Sequence, residues 1–270
     1  MEPATRAKPR RGGFVAVALP CSLMLVAAAA RPADAAGCVF EPQGEGRVAA
    51  VIDARSFRLQ DGREARLAGI EPVAVQKENA NRTSALAAIV MGRDVTLRGE
   101  DDAPDRYGRQ PAFVFLDGSE TSVQGLLLTQ GEALVSAAVA DKDCAFSLLA
   151  AEAAARAAKR GTWTDPAAIK NAESPGDILT GIGRFTVVEG KVLSVRQAGA
   201  TTYLNFGRSW TQGFAVTISR RATAALEIAG IVVKSLEENR RIRVRGWVEA
   251  RGGPRIEVLR AGQIELLGEN

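Results

Sequence analysis

Arginine and aromatic residues alternate through the last third of the chain. Tyr203, Phe206, Trp210, Phe214 and Trp247 lie among Arg196, Arg208, Arg241, Arg243 and Arg245. Rings that stack on bases, set among cations that meet phosphates, suit a single strand of nucleic acid. The competing reading is that alternate aromatics fill a barrel and the Arg-x-Arg-x-Arg row of 241–245 is a solvated strand face. Trp210 sits in the polar loop 207–211, which favours exposure. Acid–base chemistry is bounded by an absence: the 270 residues include no histidine. That removes Ser-His-Asp and Cys-His triads and His-ligated zinc. Proton transfer would fall to carboxylates, Lys, Tyr or Cys, and carboxylate-held hard metals stay open.

Of the three cysteines, Cys21 lies in a stretch that reads as an address. Arg6, Lys8, Arg10 and Arg11 precede an apolar run from Phe14 to Ala30, and Ala33-Asp34-Ala35 is a small-residue cleavage pattern. This predicts a signal peptide over residues 1–35, the alternative being an uncleaved anchor. The expected protein is periplasmic or secreted, with no membrane span after signal removal. In an oxidising compartment the remaining pair, Cys38 and Cys144, predicts one disulfide. Closing a loop of about a hundred residues contributes roughly 3–5 kcal/mol.

Charge divides along the chain. The whole carries +4, but the first 35 residues hold five basic and two acidic residues. Residues 36–174 hold 16 basic against 20 acidic, and residues 175–270 hold 14 against 9. Such asymmetry predicts two modules. Asp165-Pro166 and Ser174-Pro175-Gly176 mark turns between them. The expected layout is a first domain over 38–165, a linker over 166–180 and a second domain over 181–270.

The elements that must position these residues follow from periodicity and punctuation. In the first domain, strands are expected at 46–52, 56–59 and 64–70, then a helix at 82–91. Strands at 93–98 and 109–116 and helices at 121–130 and 141–160 complete it. Five strands with a helix between the third and fourth is the order of an OB-type barrel. The second domain repeats it, with strands at 185–196, 201–206 and 214–218, a helix from Ser219 to Ala229, and strands at 241–250 and 255–259. The fold class expected is β-rich α+β: a five-stranded OB-type barrel with helices, then a second OB-like barrel.

From Gly46 to Thr164 the chain resembles the thermonuclease, or staphylococcal-nuclease-like, family. The matching segments are Val51-Ile52-Asp53-Ala54-Arg55-Ser56-Phe57, Arg66-Leu67-Ala68-Gly69-Ile70-Glu71-Pro72 and Asp105-Arg106-Tyr107-Gly108-Arg109. Leu126 to Val135 with its Gly131 turn, and the last helix through Gly161-Thr162-Trp163, complete them. Active members of the family hydrolyse phosphodiester bonds of DNA and RNA with Ca²⁺, and need no histidine. The resemblance implies that Arg66 and Arg109 are the catalytic, phosphate-binding arginines, with Tyr107 beside them. It places Asp53 and Glu71 at metal positions. It also implies damage. The family's second aspartate, a direct metal ligand, is Arg55 here, and its catalytic glutamate is Ala74. Glu78 is the nearest downstream carboxylate.

Three functions are carried forward. The leading one is an exported, catalytically impaired thermonuclease-family protein that binds nucleic acid or another polyanion through Arg66, Arg109, Tyr107, Tyr203, Trp210, Arg243 and Arg245. It needs no cofactor; Ca²⁺ would be required only if the chain is active. The second is an active metal-dependent nuclease with a shifted site. The third is a periplasmic scaffold that contacts another protein.

Overall fold

The thirteen residues Glu41–Asp53 form one strand, β1, long enough to serve two partners. Its first half pairs antiparallel with β5 (Asp94–Gly99), its second half with β2 (Ser56–Leu59). Next to β2 runs β3 (Glu64–Leu67), which lies parallel to β6 (Arg109–Leu116). Because β6 also pairs with β5, the barrel closes in the order β1-β2-β3-β6-β5. Closure leaves no open sheet edge. These relations come from a computed structural model that describes residues 1–2, 38, 40–73, 79–99, 103–209, 211–233, 236 and 239–268. The signal-peptide reading, Ala74, Glu78 and Trp210 fall outside the described residues.

Alternation within the strands fills the barrel: Phe57, Leu59, Leu67, Leu97 and Val114 are all buried. Three helices cover it: α1 (Asn79–Val90), α2 (Val123–Gln130) and α3 (Lys142–Ala157). Ser122 caps α2 by accepting from the Gly125 amide at 3.1 Å, and Gly131 ends it at φ +76°. A Cβ on Gly131 would stand 2.2 Å from the Arg160 carbonyl oxygen, so only glycine fits. The wholly buried Gln124 of α2 donates to the Ala68 and Ala112 carbonyls and accepts from the Val114 amide. A further two-stranded sheet, β4 (Ile70–Pro72) with β7 (Ala133–Val135), stands beside the barrel.

The second module begins earlier than its sequence suggests. Residues 166–180, expected as a linker, hold β8 (Ile169–Asn171), parallel to β9 (Phe185–Lys191), and the short α4 (Pro175–Leu179). Ile178, three residues after Pro175, is fully buried, which anchors a segment that the turn residues made look loose. The expected strand 185–196 is broken at Val192-Leu193 into β9 and β10 (Ser194–Ala198). Then come β11 (Thr201–Asn205), β12 (Ala215–Ser219), α5 (Arg220–Ile228), β13 (Arg241–Ala250), β14 (Pro254–Val258) and β15 (Ile264–Leu266). β9 pairs with β13 and β10 with β11, while β12 runs parallel to β14. These strands form one eight-stranded sheet in the order β10-β11-β12-β14-β13-β9-β8, with β15 on β13; taken as one bent strand, β9 and β10 would bring its two ends together as β1 does in the first module, and in that sense it is a second, barrel-like unit.

Both modules belong to one compact unit, Ala33–Asn270. An apolar cluster joins Val73, Leu134, Ala155 and Trp163 of the first to Phe185 and Val187 of the second. Beside it lies a buried ionic cluster. Arg245, wholly buried on β13, donates to both oxygens of Glu152 on α3 at 2.7 and 3.0 Å and pairs with Glu265. Burial works against the Arg245 cation, yet Glu152 and Glu265 outweigh it and its pKa stands above the ordinary value. Arg156 and Arg243 close the cluster on Glu265, each at 3.0 Å. Burial would raise Glu265, but Arg245, Arg156 and Arg243 hold its pKa below the usual range. Cys38 and Cys144 form the expected disulfide, tying the start of β1 to the first turn of α3.

Candidate functional site

Arg66 and Arg109 reach one another's neighbourhood because β3 and β6 are parallel neighbours. Arg66 lies opposite Pro111, and Arg109 opposite Glu64. The turn before β6 is built on Asp105. Its Oδ1 accepts from the Tyr107 and Arg109 amides at 2.9 and 3.1 Å. Its Oδ2 accepts from Arg109 Nε and Nη2 at 3.0 and 2.8 Å, a two-pronged guanidinium contact. Burial opposes ionisation of Asp105, but the Arg109 side chain and the two amides lower its pKa to about 2. The same hydrogen bond raises the pKa of Arg109. Tyr107 projects outward with 64% of its surface exposed, and Arg106 and Arg109 lie 4.8 and 5.0 Å from its ring centre.

Arg66 is held less tightly. Its only ion contact among the described residues is 3.9 Å from Asp105 Oδ2. Burial, then the charges of Arg55 and Arg109, push its pKa down. Three guanidinium groups therefore crowd one corner, an arrangement that a phosphate would relieve.

Arg66 also lines a cleft of about 300 Å³ together with polar Arg55, Glu71 and Ser136 and apolar Phe40, Phe113 and Val139. Gly69 turns the chain there at φ +75°, and a Cβ on it would stand 2.8 Å from the Phe113 ring. The disulfide at Cys38 holds nearby Phe40 against Phe113, ring centres 4.8 Å apart.

The implied Ca²⁺ site can be tested on its donors. Arg55 is among the residues lining this cleft. Its amide donates to Asp53 Oδ1 at 2.8 Å, and its guanidinium donates to the Ile70 carbonyl at 3.4 Å and pairs with Glu71. The second Glu71 oxygen accepts from Ser136 Oγ at 3.3 Å. Calcium takes six to eight oxygens, several of them anionic. Here Glu71 pairs with the Arg55 guanidinium, Asp53 accepts from the Arg55 backbone amide, and no group of three or more carboxylates or thiols gathers among the described residues. The described residues at this position do not fit the ion.

Residues 66–165 match the family model described as staphylococcal nuclease homologue. Residues 66–165 form an SNase-type domain. Arg66, Glu71, Tyr107 and Arg109 lie inside the matched span; Asp53, Arg55 and the whole second barrel lie outside it. No curated protein matches the chain.

The second basic face is not assembled as the sequence suggests. Arg245 is fully buried between Glu152 and Glu265, and Arg243 is nearly buried between Glu189 at 2.7 Å and Glu265. Neither is available to a strand of nucleic acid. Burial explains both: the 241–245 row faces α3 of the SNase-type domain and carboxylates of its own sheet. Phe206 and Phe214 are core, 5.2 Å apart. Tyr203 lies half-buried on β11, opposite Arg196, with Arg255 5.5 Å from its ring centre. Sequence reasoning missed Asp105, Ser136 and Glu152. The four-residue spacing of Asp105 and Arg109 was a usable signal for the first; the other two depend on partners distant in sequence.

Proposed function

We propose that this protein binds phosphate groups of nucleic acid or another polyanion at the Arg66–Arg109–Tyr107 corner and does not hydrolyse them. The observation that carries the reading is the Arg55–Glu71 ion pair, which sets a fixed cation against the carboxylates a metal would need. Two arginines and an exposed ring remain beside it, and an anion can be clamped without being cut. The proposal includes export: the N-terminal address and the Cys38–Cys144 bridge both suit an oxidising compartment outside the cytoplasm.

Mechanistically, Asp105 pre-sets the Arg109 fork, and Arg66 supplies the less committed guanidinium. Tyr107 offers a face for a base. Binding should be steeply salt-dependent if phosphates are contacted. The test is a gel-shift titration with single-stranded DNA at several salt concentrations. Arg66→Ala and Arg109→Ala are each expected to weaken binding roughly tenfold or more. Unchanged affinity in both variants, or no binding at low salt, would refute the reading.

A further inference from the structure

We infer that the groove between the two barrels is a docking site for an acidic, aliphatic segment of a partner protein. The groove has a volume of about 550 Å³ and is walled by residues 140–142 of the SNase-type domain, by α5 and by the turn after β14. That size is typical of a built ligand cleft, and junctions between modules are favoured places for one.

Three cations line it: Lys142, Arg221 and Arg260. All three are exposed, and none forms an ion pair with a described residue. This sets them apart from Arg241, Arg243 and Arg245, whose charges are matched within the fold. The groove's one carboxylate, Asp141, accepts from the Cys144 amide at 2.7 Å and so serves the end of α3. Arg221 stands in the first turn of α5, a turn with no acidic residue, where the helix dipole disfavours a cation. A bound anion reverses that penalty.

The rest of the lining is aliphatic. Ile228 is 82% exposed and Leu259 52%, with alanines of α5 between the charges. No aromatic side chain lines the groove among the described residues, so it lacks the stacking surface that single-stranded nucleic acid uses. Its recess between two modules suits an inserted segment better than a flat lipid surface. The occupant that matches both features carries carboxylates for the three cations and a branched aliphatic side chain to cover Ile228 and Leu259. This site is separate from the Arg66–Arg109 corner, and it stands whether or not that corner binds phosphate.

The test uses the full mature chain and a fluorescent synthetic peptide of repeating Glu-Leu-Glu-Ala units, followed by anisotropy. Controls are the same peptide with Lys for Glu, an oligothymidylate and phosphatidylglycerol vesicles. The expected result is saturable binding of the acidic peptide and not of its Lys counterpart or the vesicles, weakened roughly tenfold or more by Arg221→Glu with Arg260→Glu and independently by Ile228→Ser, while oligothymidylate binding, which belongs to the Arg66–Arg109 corner, is unmoved by these variants. All three positions are exposed, and thermal denaturation checks that the variants remain folded. No binding of the acidic peptide overturns the proposal, as does equal binding by wild type and variants. Oligothymidylate or vesicles binding more tightly, with the same sensitivity to the variants, overturns the choice of partner.

Discussion

A guanidinium in place of a carboxylate changes the charge at one position by two units, and Arg55 shows what the surroundings then do. Glu71 and the Ile70 carbonyl take up its guanidinium, while Asp53 accepts from its backbone amide. Arg55→Ala would leave the largely buried Glu71 with Ser136 alone, and should cost about 3 kcal/mol in a urea titration. Arg55→Asp combined with Ala74→Glu should instead raise Ca²⁺ affinity, measurable by calorimetry; an unchanged heat of titration would count against the assignment. Asp105 gives a pH signature. Its folded pKa of about 2 lies below the ordinary carboxylate value, so its contribution is complete above about pH 4 and disappears as pH falls towards 2. NMR titration of the Asp105 carboxyl carbon should show that midpoint, and Arg109→Ala should move it upward. At this scale the sequence was informative: the Asp-x-Arg-Ser, Arg-Leu-Ala-Gly and Asp-Arg-Tyr-Gly-Arg stretches hold Arg55, Arg66 and Arg109, whose charges meet in one corner of the fold. Ser136 was not legible, because it meets Glu71 only through the β4–β7 pairing of two three-residue strands too short to show a period.

Among elements, α3 is the hub. Its first turn carries Cys144, its middle carries Glu152, and Ala145 lets the second module close in: a Cβ on Gly262 would stand 2.8 Å from the Ala145 Cβ. Glu152 accepts from the Val135 amide at 2.8 Å and takes the Arg245 fork with the same carboxylate. One side chain thus links β13 of the second barrel to β7, which pairs with the Glu71 strand. Arg245→Met removes the cation and leaves Glu152 and Glu265 buried, and should destabilise the chain by about 3–5 kcal/mol. Adding Glu152→Gln, which keeps an oxygen for the Val135 amide, should recover part of that loss; a strictly additive cycle in urea denaturation would show that the pair is not coupled. The strand order was readable from alternation and turns. Alternation also revealed that Arg241, Arg243 and Arg245 share a face. It could not reveal that another module covers that face, since nothing local to β13 records α3.

Over the whole molecule, an acidic SNase-type domain and a basic second barrel share one compact unit. Arg241, Arg243, Arg245 and Arg251 of the second module are held in ion pairs, and the cationic surfaces of interest are the Arg66–Arg109 corner of the first module and the groove between the two. Cys38–Cys144 constrains the chain across 106 residues. Replacing both by serine should cost roughly 3–5 kcal/mol and loosen Phe40 over the cleft; denaturation with and without reductant measures the first. The central claim is binding without hydrolysis. It is tested most directly by incubating a labelled single-stranded oligonucleotide with the pure mature protein and following anisotropy and product length together, in Ca²⁺, Mg²⁺, Mn²⁺ and EDTA. Binding without cleavage gives a salt-sensitive rise in anisotropy, with the oligonucleotide intact in every condition. Divalent-dependent cleavage that EDTA and Glu71→Gln both abolish would contradict it.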